Sequence, residues 1–154
     1  MTTTLDSFDI KILRILQRNN LTSQRDIADQ VGLSAAAVHR RIQRLRESGV
    51  IAHNAAIIAP ERVGRPITLI VEVSVESEKI EALNELKRAF SEAPEVQQCY
   101  YVTGEADFIL VVTAADMAEY ERLTERLFFK QKNVKRFRTY VAMARVKATL
   151  NVPV

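Results

Sequence analysis

The chain has 154 residues, 47% of them hydrophobic and 27% charged, with only four Gly and four Pro. That composition belongs to an ordinary folded protein and excludes collagen-like, low-complexity and largely disordered readings. No stretch approaches the ~20 apolar residues of a membrane helix, the start lacks the basic and apolar regions of a signal peptide, and the single Cys99 excludes a disulfide framework and a cysteine-based zinc site. A cytoplasmic protein with no membrane partner is expected.

Net charge is +3, and its location is more informative than its size. Residues 1–60 carry eight Lys/Arg against five acids, whereas the remainder balances at fourteen against fourteen. Four arginines, Arg40, Arg41, Arg44 and Arg46, fall within seven residues. A local basic cluster of this kind points to a polyanion partner.

Asp6 is placed to cap a helix carrying Phe8, Ile12, Ile15 and Leu16 and ending near Asn19. Ser23 followed by Asp26 is a capping pattern that opens a short helix with Ile27, Ala28 and Val31. Gly32, Leu33 and Ser34 supply a turn and the next cap. A third helix is predicted over 35–48, ended by Gly49. Residues 50–58 read as an extended strand, and 60–66, with Pro60, Gly64 and Pro66, as a linker.

Beyond the linker the period changes. Ile67, Leu69, Val71, Val73 and Val75 alternate with Thr68, Glu72 and Ser74, which predicts a strand with Ile70 as the exception. Ile80, Leu83, Leu86 and Phe90 mark a helix closed by Pro94, and strands follow over 96–103 and 108–113. Met117, Tyr120, Leu123 and Leu127 mark another helix, and 134–143 a last strand. The order β-α-β-β-α-β is the split βαβ of ferredoxin-like domains. The chain is therefore α+β, in two domains at 1–60 and 67–154, the first including the strand that precedes the linker.

Two short helices joined by a Gly-containing turn have the form of a helix-turn-helix. At about 100° per residue, Val38, Ile42 and Leu45 share one stripe of the third helix, while Ala36, Arg40, Gln43 and Glu47 lie opposite. Small residues near the helix start permit close approach to a major groove of double-stranded DNA, where His39, Arg40 and Gln43 reach base edges or phosphates. Ser34, Ala36, His39 and Arg40 are expected nearest the bases. Ser23, Gln24, Arg25, Arg41 and Arg44 are expected at phosphates. A plain solvated Ala/Arg helix is the competing reading, but it leaves the preceding helix and turn unexplained.

These residues carry a resemblance. The runs 5–13, 27–28, 31–34, 38–45 and 49–51, followed by 60–64, resemble the Lrp/AsnC (feast/famine) family of transcription regulators over nearly the whole chain. The resemblance implies a winged helix-turn-helix joined to a ferredoxin-like domain for effector sensing and oligomerisation. It also implies a homodimer assembling to an octamer. Dimers place two recognition helices about 34 Å apart, so a partly palindromic site is expected.

The stretch from Gly104 to Asp107 reads from its residues alone as a hairpin turn or as a ligand loop. Thr103, Gly104 and Asp107 are similar to the family's Gly-x-x-Asp loop, which implies a bound amino-acid effector, with Ala106 where the family usually has a larger side chain. Arg138, Thr139, Tyr140 and Val141 are similar to the strand by which a neighbouring subunit completes that site. Lys132 and Asn133 stand where a Pro-Gly pair is common. Val134, Arg136 and Phe137 are further candidates for contacting the effector. No catalytic or metal-binding residues and no bound cofactor are expected: the two histidines, His39 and His53, form no metal pair, and phosphate-loop and nucleophile-elbow patterns are missing. The alternative function is an architectural DNA-binding protein that ignores effectors.

Overall fold

Capping chemistry sets where the helices begin in the computed structural model, which describes residues 4–154; the start of the chain, which lacks a leader pattern in its sequence, lies partly outside them. In α1 (Ser7–Arg18), Asp6 Oδ1 accepts from the N–H groups of Phe8 and Asp9, both at 2.9 Å, and Asp9 Oδ2 accepts from Asp6 N–H at 3.1 Å. This reciprocal box satisfies amides that no helical carbonyl can reach. Ser23 caps α2 (Gln24–Val31), which Gly32 ends at φ 75°, a conformation a β-carbon disfavours. Ser34 caps α3 (Ala35–Glu47), its Oγ accepting from Ala37 N–H at 3.2 Å.

The chain divides into two compact units, one reaching to Ala56 and including Ala148–Val154, the other Ile57–Lys147. Ile12, Ile27, Ala28, Val31, Val38 and Ile42 form the core of the first, with Ile15, Leu16, Leu33 and Ile51 at its margin. Each fully buried aliphatic side chain contributes roughly 1.5–3 kcal/mol against the cost of ordering the chain.

Three sequence expectations shift. The strand over 50–58 does not form among the described residues, because its backbone finds no ladder partner; instead Ile51 N–H donates to Leu45 O at 2.9 Å. The expected boundary after residue 60 moves to Ala56, since Pro60 is buried in a 3-10 turn (Pro60–Val63) of the second unit. The last seven residues join the first unit, not the second. Gln17 exchanges two hydrogen bonds with the Val152 backbone, at 3.0 and 2.8 Å, and Arg14 Nε donates to Val154 O at 2.6 Å.

The second unit is one four-stranded antiparallel sheet in the order β2-β3-β1-β4, from β1 (Ile67–Val75), β2 (Val96–Tyr101), β3 (Phe108–Ala114) and β4 (Val134–Val141). Strand β3 inserts between β1 and β2, which is the split βαβ connection. Leu69, Val71 and Val73 are fully buried against α4 (Ile80–Glu92) and α5 (Met117–Thr124), in a core centred on Phe90, Phe108, Leu110, Leu123 and Phe128. Phe90 meets Phe108 and Phe128 edge-on, with ring centres 5.4 and 6.1 Å apart. The alternate residues Thr68, Ile70, Glu72 and Ser74 therefore face the side without helices. That placement resolves Ile70: it pairs with Val111 and Tyr140, two further apolar residues of the open face.

Helix α5 passes into a π-turn (Glu125–Phe129), so Leu127 and Phe128 are both buried where helical spacing marks only Leu127. The linker is fixed by Arg65, whose guanidinium donates to Thr113 O at 2.7 Å and to Glu119 at 3.1 Å. Glu119 is held below the usual carboxylate range, first by Ala115 N–H and then by Arg65.

Candidate nucleic-acid interface and ligand site

The buried stripe of α3 decides what the helix offers to solvent. Val38, Ile42 and Leu45 are at most 5% exposed, which fixes the helix rotation and leaves Ala36, His39, Arg40 and Gln43 on the outward face. Ser23, Gln24, Arg25 and Ser34 are exposed at the starts of α2 and α3. Gln24 Nε2 lies 3.1 Å from His39 Nδ1, linking the two helices; with the amide donating, the imidazole carries its proton on Nε2. The starts of two helices beside the exposed side chains of Arg25, Arg40 and Gln43 form a surface suited to phosphates and base edges.

Arg41 and Arg44 are arranged differently. Arg41 Nη1 lies 2.7 Å from Asp6 Oδ2 and 2.8 Å from Asp9 Oδ1, and Arg44 Nη2 lies 2.5 Å from Asp9 Oδ2. The Asp9 side chain is 0% exposed. Its carboxylate is a buried anion satisfied on both oxygens by two guanidinium groups and the Asp6 amide. Asp6 is held below its ordinary 3.8, first by Asp9 N–H and then by Arg41, while its own and Asp9's acceptance of hydrogen bonds pushes Arg41 further up. Sequence reading missed this cluster, although Arg41 and Arg44 stand three residues apart, on one helix face, as Asp6 and Asp9 do.

On the second unit the β2–β3 loop is built around Asp107. Its N–H donates to Val73 O at 2.9 Å, and its Oδ2 accepts from Val75 N–H at 2.7 Å. Oδ2 is thus fixed to the end of β1, while Oδ1 has no partner among the described residues. Gly104 sits at φ 137°, which a side chain rarely adopts, and nothing lies within 4 Å of where its β-carbon would be. Backbone strain, rather than crowding, therefore requires glycine in this loop. Thr103 is exposed and Ala106 half-buried.

The period of β4 divides the other candidates. Arg136 and Arg138 lie with Glu72, Ser74, Glu105 and Ala106 around a small depression on the open sheet face, where Arg138 approaches Glu72 to 3.6 Å. Phe137 turns to the helical side, its ring 4.6 Å from Phe128 and 5.4 Å from Phe129. Thr139 also lies there, bonded to the Tyr120 hydroxyl at 2.5 Å. Within one chain the fold thus brings Ala106 to Arg136 and Arg138 but not to Phe137 or Thr139. Val134 borders a groove of about 300 Å³ with Phe128, Phe129, Lys135, Arg136 and Phe137, so Arg136 touches both this groove and the depression on the open face. Asn133 supports the start of this strand: its carbonyl accepts from Glu76 N–H, and its side chain exchanges hydrogen bonds of 2.8 and 3.0 Å with Ser77. These bonds hold the turn where the sequence has Lys132 and Asn133, with no positive φ at either.

Among the described residues no helix is long and apolar enough to cross a membrane, and no three His, Cys, Asp or Glu side chains gather as a metal site. Two family models match the chain: an Lrp/AsnC ligand binding domain over residues 68–152 and a winged helix-turn-helix DNA-binding domain over 5–52. It is 47% identical over 150 residues to an HTH-type transcriptional regulator of Sinorhizobium fredii, covering 97% of this chain and 89% of that protein. It is 39% identical to the leucine-responsive regulatory protein of Haemophilus influenzae, over 94% of this chain and 87% of the other. A Neisseria meningitidis transcriptional regulator solved in complex with L-Met superposes with a TM-score of 0.91 at 27% identity, covering 97% of both chains. An AsnC family regulator of Agrobacterium tumefaciens gives 0.91 at 35% identity, also over 97% of both.

Proposed function

Because this chain belongs to the Lrp/AsnC family of DNA-binding transcription regulators, we propose that a free amino acid controls its assembly or its affinity for a specific operator. The observation that carries this reading is the divided carboxylate of Asp107: one oxygen is fixed by Val75 N–H, and the other is left for an ammonium group beside a loop whose Gly104 backbone a side chain would strain. The complex of a 27% identical regulator with L-Met supports an amino acid as the ligand class. Thr103, Gly104, Ala106 and Asp107 form the loop half of the site. Val134, Arg136, Phe137, Arg138 and Thr139 form the strand half, contributed by a neighbouring subunit. Within one chain the loop meets only Arg136 and Arg138 of this set, and the neighbouring subunit's part is proposed from the family likeness.

On the DNA side, Ser34, Ala36, His39, Arg40 and Gln43 meet the bases, and Ser23, Gln24 and Arg25 hold phosphates. The protein acts as a dimer on a partly palindromic site, with recognition helices about one DNA turn apart, and dimers assemble towards an octamer. An effector that prefers one assembly shifts the populations and so changes operator affinity. A thermal-shift screen against the twenty amino acids, followed by sedimentation and DNA titration with the best hit, tests the proposal. It expects at least one amino acid to raise the melting temperature and change DNA affinity. A protein that binds DNA but ignores all twenty is instead an effector-independent architectural one.

A further inference from the structure

The four arginines within 40–46 are not equivalent. Arg40 and Arg46 have no ion-pair partner among the described residues, while Arg41 and Arg44 share the buried carboxylate of Asp9. On the helical wheel Arg44 lies only about 40° from Arg40, on the shoulder of the face offered to DNA. Its side chain is 50% exposed, so solvent and phosphate both have access to it. Its guanidinium nevertheless turns back to Asp9 at 2.5 Å. A phosphate that draws it away from Asp9 leaves a buried carboxylate short of a partner, a loss that an exposed phosphate contact does not offset, and while it stays on Asp9 its charge is already balanced.

We propose that Asp9 is a positioning residue that withholds Arg41 and Arg44 from the DNA backbone, and so sets how strongly the protein prefers its own site over other DNA. Phosphate contacts add affinity for every sequence alike, whereas base contacts separate sequences. Two cations tied to α1 reduce the indiscriminate component and leave Arg40, His39 and Gln43 to discriminate. The same ties brace α3 against α1. Asp6 assists by holding Arg41 from the exposed end of the pair at 2.7 Å. The inference rests on DNA binding through α3 and concerns only which cations of that helix touch phosphate.

The test measures binding of the full chain, as a function of salt, to a random-sequence duplex and to a duplex selected from a random pool by the unmodified protein. In Asp9→Asn, the freed guanidinium groups are expected to steepen the salt dependence on random DNA by about one to two units, at about 0.9 per phosphate. Between 50 and 200 mM salt each new contact adds roughly a 3.5-fold loss of affinity. The preference for the selected duplex falls accordingly. Adding Arg44→Gln to Asp9→Asn is expected to return about one unit, an effect that a fold merely loosened by the first change does not give. Asp6→Asn keeps an equally good cap while removing a charge from Arg41, and is expected to steepen the slope by less than one unit even if Asp9→Asn fails to fold. A slope unchanged or shallower in each variant that folds, with the preference intact, overturns the proposal and returns Arg41 and Arg44 to the phosphates. No DNA binding by the unmodified chain overturns the helix-turn-helix reading as well.

Discussion

Replacing Asp107 tests whether its two oxygens have separate roles. In Asp107→Asn the amide oxygen can still accept from Val75 N–H, now at 2.7 Å from a charged acceptor, so the β1 end is retained with a weaker bond. The charge that meets an ammonium group is lost. Losing one partner of such a pair costs about 2 kcal/mol or more, close to a 30-fold weaker effector. At an effector concentration 100 times the original dissociation constant, ligand stabilisation then falls from about 2.7 to about 0.9 kcal/mol. Asp107→Ala removes the acceptor too. Val75 is 8% exposed, so its amide is poorly rehydrated and the change costs about 1–2 kcal/mol more. For a unit of about 90 residues that lowers the melting temperature by roughly 5–10 °C. The assay is thermal melting of the unmodified chain and both variants, with and without the best amino acid. A full ligand shift in Asp107→Asn, or an unaltered melting temperature in Asp107→Ala, refutes the division of roles.

Arg40→Ala is expected to relax sequence preference, whereas Arg25→Ala lowers affinity for all sequences and flattens the salt dependence by about 0.9; binding to a panel of mutated sites separates the two, and equal effects on specificity contradict the assignment. Ser34→Ala removes the cap on Ala37 N–H and should cost about 1 kcal/mol, read from chemical denaturation. Asp6 has a folded pKa below its ordinary 3.8, so its contribution is complete above that value and drains as pH falls through the folded value. The melting temperatures of the unmodified chain and of Asp6→Asn should therefore converge below about pH 4, and a constant gap from neutral to strongly acid solution contradicts this.

Much of the fold was legible because local chemistry and period agreed. Asp6, Ser23 and Ser34 were readable as caps, and α3, expected over 35–48, spans Ala35–Glu47. Strand β1 spans Ile67–Val75, where alternation marked it. Features that depend on distant partners were not legible. The strand over 50–58 had strand-like residues but no second strand to bond. The tail, which looked like an end of the second domain, is held by Gln17 and Arg14, more than a hundred residues away in sequence. Two buried residues in a row at Leu127 and Phe128 follow from a π-turn that no 3.6-residue period reveals.

The candidate sites divide in the same way. Surface residues of α3 could be sorted by the wheel, since the stripe of Val38, Ile42 and Leu45 alone fixes which way the helix faces. The commitment of Arg41 and Arg44 to Asp9 could not be sorted so, because a wheel shows direction from one axis and not what a neighbouring helix places there. On β4, family likeness groups consecutive residues, while the pleat sends Arg136 and Arg138 to one face and Phe137 and Thr139 to the other.

Amino-acid control of DNA binding is tested most directly by the affinity of the purified protein for its selected duplex, measured with and without each amino acid. The expected result is one amino acid, or a small chemically related set, that changes DNA affinity about 5- to 150-fold, with DNA changing the affinity for that amino acid by the same factor. Tight, sequence-selective DNA binding that no amino acid alters contradicts it.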